Sequence, residues 1–223
     1  MSEQKVIVTI TGPSLTGKTT LAQELMAYNS QFQPVVTHTT RAIRQGEING
    51  ESYHFVSKEE FMSTRDQNGF IEFTEVGPPG NTNFYGASKA AVEKVLQNGK
   101  SPLLVIEPEG AANVYKFCVE NNFKVYQVFL NNPQDVLIHR FFERFRHDKL
   151  ATPENYAKRL KNMLEVEPSK WINPALDGTH RYDYVCPKFD ENKDEVVKHI
   201  NLKVQELIKN LEPLNHIERL KFR

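Results

Sequence analysis

Residues 12–19, Gly12-Pro13-Ser14-Leu15-Thr16-Gly17-Lys18-Thr19, have the form G-x-x-x-x-G-K-[ST]. That pattern is chemistry for holding a polyphosphate. The glycines let the backbone curl so that successive N–H groups point inward at phosphate oxygens. A helix that follows adds its positive N-terminal end. Lys18 places a mobile positive charge on the β- and γ-phosphates, and Thr19 offers a hydroxyl to Mg²⁺. Thr20 completes the stretch expected to touch the donor nucleotide. The motif specifies a nucleoside triphosphate such as ATP and leaves open where the phosphate goes. Glu107 is the next candidate. It closes the apolar run Leu103-Leu104-Val105-Ile106, at the kind of strand end where such folds keep an acid near the metal. Its expected role is to hold Mg²⁺ through water.

These groups need a scaffold. Lys5 to Thr11 reads as a buried strand on the β-branched run Val6, Ile7, Val8 and Ile10, feeding the loop and then a helix through Leu21, Leu25 and Met26. Further strands are expected at Leu103–Ile106, Val125–Leu130 and Tyr182–Cys186. Helical patterns cover Ser88–Leu96, Gln134–Phe145, a segment from Thr152-Pro153 through Leu160 and Met163, and Glu191–Leu207. Asn132 with Pro133 reads as a cap and first helical position. Strands alternating with helices give an α/β fold, a P-loop NTPase core with a parallel sheet flanked by helices. Residues 37–86 break the alternation with Asn49-Gly50 and Asn68-Gly69 turns, and read as an insertion on the sheet's rim. Within it, Ser57 with Glu60 has the form of a capping box, and residues 77–81 form a loop. The tail after about 210 reads as a surface helix.

The chain has 223 residues, with 28 Lys plus Arg against 28 Asp plus Glu, so the formal net charge is zero. A protein that binds nucleic acid through its phosphates usually carries a basic excess, so no nucleic-acid partner is expected. No apolar run reaches membrane-spanning length, and the N-terminus lacks signal-peptide anatomy. The expectation is a cytoplasmic protein. Cys118 and Cys186 are far apart in sequence and read as packed thiols in a reducing compartment.

The insertion carries Thr37-His38-Thr39-Thr40-Arg41-Ala42-Ile43-Arg44, then Gly46-Glu47-x-x-Gly50, then Tyr53-His54-Phe55-Val56-Ser57, with Phe70-Ile71-Glu72 and Tyr85-Gly86-Ala87-Ser88 further on. On these motifs, in this order and spacing, the chain from about 5 to 200 resembles the guanylate kinase family. The resemblance implies one domain over 1–210, with a core of 1–36, 87–139 and 160–210. It also implies an insertion over 37–86 that binds a nucleoside monophosphate, a helical lid over 140–159, and a tail over 211–223. It implies transfer of the γ-phosphoryl group of ATP to GMP or dGMP, with Mg²⁺ as cofactor. Arg41 and Arg44, with the Tyr53 and Tyr85 hydroxyls, form a clamp for the acceptor's dianionic phosphate, since guanidinium matches phosphate oxygens in a bidentate fork. Glu72 accepts from the ring N–H and the exocyclic amine of guanine, a donor pair that adenine does not offer on that edge. Thr37 keeps the hydroxyl of a family serine that meets the guanine carbonyl, and Gly86 belongs to the same pocket. Arg140 and Arg144, four apart on one predicted helix, and Arg159 on the next, are the arginines that close over the phosphates.

The sequence departs from the family at four places. Val105 stands where an aspartate is usual, and Ala87 replaces a hydroxyl residue near the base. The segment from Val76 to Phe84 is longer than usual, and Cys186-Pro187-Lys188 replaces an asparagine-aspartate turn. Two further readings therefore stand beside the first. One is a kinase with relaxed or shifted acceptor choice. The other is a catalytically silent module that binds a partner protein, a class that typically loses the lysine and the phosphate clamp, both present here.

Overall fold

The computed structural model describes residues 6–44, 46–77, 82–146, 152–176, 178 and 180–209. In chain order the elements are β1 (Val6–Thr11), α1 (Lys18–Tyr28), β2 (Phe32–Pro34), β3 (His38–Thr39), β4 (His54–Phe55), α2 (Lys58–Asp66), β5 (Phe70–Val76), β6 (Asn83–Ser88) and α3 (Lys89–Gln97). The chain continues with β7 (Ser101–Val105), α4 (Pro108–Glu120), β8 (Lys124–Leu130), α5 (Gln134–Arg146) and α6 (Pro153–Lys161). Then follow two π-helical turns (Asn162–Val166 and Pro168–Ile172), α7 (Asn173–Leu176), β9 (Tyr184–Cys186) and α8 (Lys193–Lys209).

Every residue of β1 and of β8 is buried. Strands covered on both faces have no need of polar alternation, and continuous apolar runs are what parallel sheets use. The core sheet is parallel throughout, in the order β2-β7-β1-β8-β9. One face packs Val6, Val8 and Ile10 of β1 against α1 and α8. The other packs Ile7 and Leu104 against α3 and α4. The strand order turns at β1, the topological switch point, so the crevice at its carboxyl end is where a ligand belongs.

A second, four-stranded sheet, β4-β3-β6-β5, runs from His38 to Ser88. Its own small core is Phe61, Phe70 and Phe84, with Phe61 and Phe70 stacked at 4.4 Å. The Ser57 and Glu60 capping box forms as expected at the start of α2. Residues 78–81 of the long loop and residues 210–223 lie outside the described residues, so the expectations there have no structural counterpart.

Three features differ from the sequence expectation. Helix α4 was not anticipated, and Pro108 and Gly110 both stand in its first turn. Pro108 takes the first helical position, where its missing N–H costs nothing. The edge strand β2 is three residues long, too short to leave a pattern. The helix starting at Pro153 does not stop near Met163. It passes through π-helical turns around Pro168 and continues to Leu176. The lid limits expected from sequence, 140 and 159, fall inside α5 and α6 rather than between elements. Among the described residues no helix is long and apolar enough to cross a membrane.

Candidate active site

The loop from Gly12 to Gly17 joins β1 to α1 at the switch point. Gly12 (φ 144) and Gly17 (φ 92) hold left-handed backbone that a side chain would strain. A Cβ on Gly12 would overlap the Leu130 carbonyl oxygen, and one on Gly17 would meet the Phe189 ring at 2.9 Å. Leu15, at the loop's tip, is left-handed without being glycine (φ 65), a conformation that costs energy and gathers at ligand sites. The surroundings fix it there. The Thr16 hydroxyl donates to Pro13 O at 3.0 Å, and Arg140 donates to Leu15 O at 2.8 Å. Asn132 is not the helix cap that the sequence suggested. Its amide donates to Thr16 O and its carbonyl accepts from the Asp190 N–H, tying the loop to the segment after β9.

Lys18 opens α1 and folds back over the loop, donating to Gly12 O and Pro13 O at 2.8 Å each. Burial lowers its pKa, opposed by the negative charges of Glu107 and then Glu167. Thr19 and Thr20 are exposed in the first turn of the same helix. Glu107 is the N-cap residue of α4 without a capping hydrogen bond, so its carboxylate is left for the cleft. Solvent reaches it, yet the surrounding protein raises its pKa, with Lys18 as the main opposing influence. Val105 and Glu107 are exposed and Ile106, between the two, is buried, so residues 105 and 107 share a side.

The donor set fits Mg²⁺. One carboxylate held above its ordinary pKa and one exposed hydroxyl suit an ion that takes its other ligands from phosphates and water. Among the described residues no group of three His, Cys, Asp or Glu could hold a metal by itself.

The second half of the site is on the insertion. Arg41 pairs with Glu47 in a bidentate fork at 2.7 and 3.0 Å. Its guanidinium lies 5.6 Å from the ring centres of both Tyr53 and Phe55, and it also interacts with Tyr85. Glu47 accepts from the Arg44 N–H as well, so one acid organises both arginines. The Arg44 side chain is exposed. Tyr53 and Tyr85 meet edge to face at 6.1 Å. Glu47 was legible only as part of a motif, although an acid three residues after Arg44 was the available signal.

Glu72 is 7% exposed, accepts from the Ala87 N–H at 3.2 Å, and packs against Gly110 of α4. Burial pushes its pKa up to about 7, with a further contribution from Glu107. Helix α4, whose N-cap is Glu107, thus touches the insertion through Gly110 and Glu72. Gly86 is buried, and a Cβ there would press on Phe70, Phe61 and Glu72 O. Thr37 is half-buried, its carbonyl accepting from the His54 N–H at 2.8 Å.

Of the three arginines expected to close over the phosphates, the structure brings one to the loop. Arg140 bridges Leu15 O and Asp190, the latter at 2.7 Å. Arg144 is exposed near the end of α5, and Arg159 is exposed over the Phe145 ring at 5.0 Å. The group that sequence reasoning missed altogether is Glu167. Its side chain is 1% exposed, and it accepts from both the Ser14 N–H (3.1 Å) and the Ser14 hydroxyl (2.7 Å). An acid beside a proline in a polar helix gave no signal.

A P-loop at the switch point of a parallel sheet, with a second, inserted sheet that carries Glu72 and leads from its first strand into Arg41 and Arg44, is the arrangement of a nucleoside monophosphate kinase. Comparison with known proteins narrows the class. The family model for guanylate kinase matches residues 3–168. A guanylate kinase from Acinetobacter baylyi is 38% identical over 84% of this chain and 81% of its own length. One from Prochlorococcus marinus is 38% identical over 60% of this chain and 68% of its own. The crystal structure of guanylate kinase from Anaplasma phagocytophilum superposes with a TM-score of 0.62 at 26% identity, covering 94% of this chain and 89% of that one. The chain belongs to the guanylate kinase family.

Proposed function

We propose that the chain transfers the γ-phosphoryl group of ATP to the phosphate of GMP or dGMP, giving ADP and the guanosine diphosphate. The observation that supports this reading best is Glu72, a buried carboxylate on the second sheet, in the segment that also carries Arg41, and within the field of Glu107. Guanine offers two adjacent donors to such an acceptor. Uracil and thymine offer a single ring N–H, and adenine and cytosine offer no donor pair on that edge.

An oxygen of the acceptor phosphate attacks the γ-phosphorus, and the bond from that phosphorus to the β,γ-bridging oxygen breaks. The attacking oxygen is already ionised, so no residue is needed as a base. The chain supplies position and charge. Arg41, Arg44, Tyr53 and Tyr85 hold the acceptor phosphate in line, with Thr37, Glu72 and Gly86 around the base. The loop from Gly12 to Thr20 holds the donor. Lys18 unfolds from its carbonyl contacts onto the terminal phosphates. Arg140, Arg144 and Arg159 neutralise charge that spreads over the oxygens in the transition state. Thr19 and, through water, Glu107 would hold Mg²⁺, which supplies charge neutralisation on the triphosphate when bound. Closing the insertion and lid excludes water and suppresses ATP hydrolysis. A cytoplasmic setting suits this chemistry.

Ala87 favours a looser base choice than a hydroxyl there would give. One neutral hydrogen bond is worth about 1 kcal/mol, a few-fold effect that leaves Glu72 in control. The test is ADP release over a panel of monophosphates. GMP and dGMP should turn over far faster than AMP, CMP, UMP or dTMP, and Lys18→Ala should abolish turnover while keeping the fold. Equal rates across purines would reject guanine selection. No turnover with any acceptor would leave the silent module.

A further inference from the structure

Glu167 places a buried carboxylate against two donors of the phosphate loop, the N–H and the hydroxyl of Ser14. It lies between two π-helical turns, Asn162–Val166 and Pro168–Ile172. Pro168 lacks the N–H that a regular helix would use there, and π turns inserted in helices recur at functional sites. The side chain is held by three hydrogen bonds, two from Ser14 and one from the Asn162 amide at 3.2 Å. A buried charge needs such partners, and two of the three come from the phosphate loop itself. Lys18, one turn away, feels the same negative charge. An acid in a phosphate loop has the reverse of the charge complementarity the loop provides for its ligand.

We propose that Glu167 is a gate at the phosphate cradle. Its carboxylate holds the Ser14 donors, and the terminal phosphate of an entering triphosphate displaces it. The displaced carboxylate carries the π-helical segment away from the loop, so binding of a triphosphate is coupled to movement of the helix that follows Arg159. This rests on the reading that a nucleoside triphosphate enters the cradle. A gate and a structural brace differ in sign. Removing a brace weakens nucleotide binding, whereas removing a gate strengthens it, and more for ATP than for ADP, because ADP lacks the terminal phosphate.

The experiment is calorimetric titration of the full chain with ATP and with ADP, acceptor absent, for wild type, Glu167→Gln and Asn162→Ala. Glutamine keeps the shape and removes the charge. Asn162 is exposed, and its loss releases one tether of Glu167 without touching the loop. Glu167→Gln should bind ATP three- to tenfold more tightly, with a smaller gain for ADP, and Asn162→Ala should gain about twofold for ATP. Unchanged or weaker ATP binding in Glu167→Gln, or equal gains for ATP and ADP, overturns the gate. Should Glu167→Gln not fold, the decision passes to Asn162→Ala, where an unchanged or weaker affinity overturns it. Failure of the wild type to bind ATP would instead reject the underlying kinase reading.

Discussion

At the scale of single residues, Glu72 sets function against stability. Its pKa in the folded chain is about 7, against an ordinary carboxylate value near 4.5, because burial disfavours the ionised form. A raised carboxylate pKa means that the fold is favoured while the group is protonated. This contribution is complete below about pH 4.5 and is lost as pH rises through 7. The guanine-reading role proposed for Glu72 requires the opposite, an ionised acceptor. The KM for GMP should therefore fall as pH rises from 6 to 8, and Glu72→Gln should flatten that profile and lose guanine discrimination. The same variant should be more stable at pH 8 by roughly 2 kcal/mol, since it removes the cost of burying a charge, as read by chemical denaturation. Lower stability at pH 8 would contradict this. Glu47 acts on a different quantity. Its carboxylate fixes the Arg41 fork and the Arg44 backbone, so Glu47→Ala should raise the KM for GMP about tenfold and leave that for ATP within twofold.

At the scale of elements, α4 brings the two halves of the site together. Glu107 caps it, Pro108 starts it, and Gly110 gives Glu72 room against its first turns. A Cβ on Gly110 would lie 2.8 Å from the Glu72 carboxylate oxygen. Gly110→Ala should therefore raise the KM for GMP severalfold, while thermal stability holds or rises, since alanine is the better helix former by about 1 kcal/mol. A lowered melting temperature with an unchanged KM would show that the contact is one of packing only. This helix was also the longest element that sequence reading missed. Proline and glycine within three residues look like a turn until the neighbouring sheet is in place. The P-loop was fully legible by contrast, because its backbone requirements fall on residue types that little else demands together. The capping box at Ser57 was legible for a similar reason, its two hydrogen bonds being local. Asn132 was misread because its partners, Thr16 and Asp190, are distant in sequence. Glu167 was invisible for the same cause.

At the scale of the whole molecule, the five-stranded parallel sheet carries the phosphate loop, and the second, four-stranded sheet belongs to the segment that carries the proposed acceptor clamp. Glu107 stands where both are felt. The central claim is that two nucleotides meet phosphate to phosphate in this cleft, once per chain. A compound joining adenosine and guanosine through a chain of five phosphates spans such a site and meets both halves at once, so linking raises its affinity above either part. Calorimetric titration should give one site per chain, at least a hundredfold tighter than ATP alone, with binding weakened at least tenfold by Lys18→Ala and again by Arg41→Ala. Affinity no better than that of ATP, or indifference to Arg41→Ala, would contradict the claim.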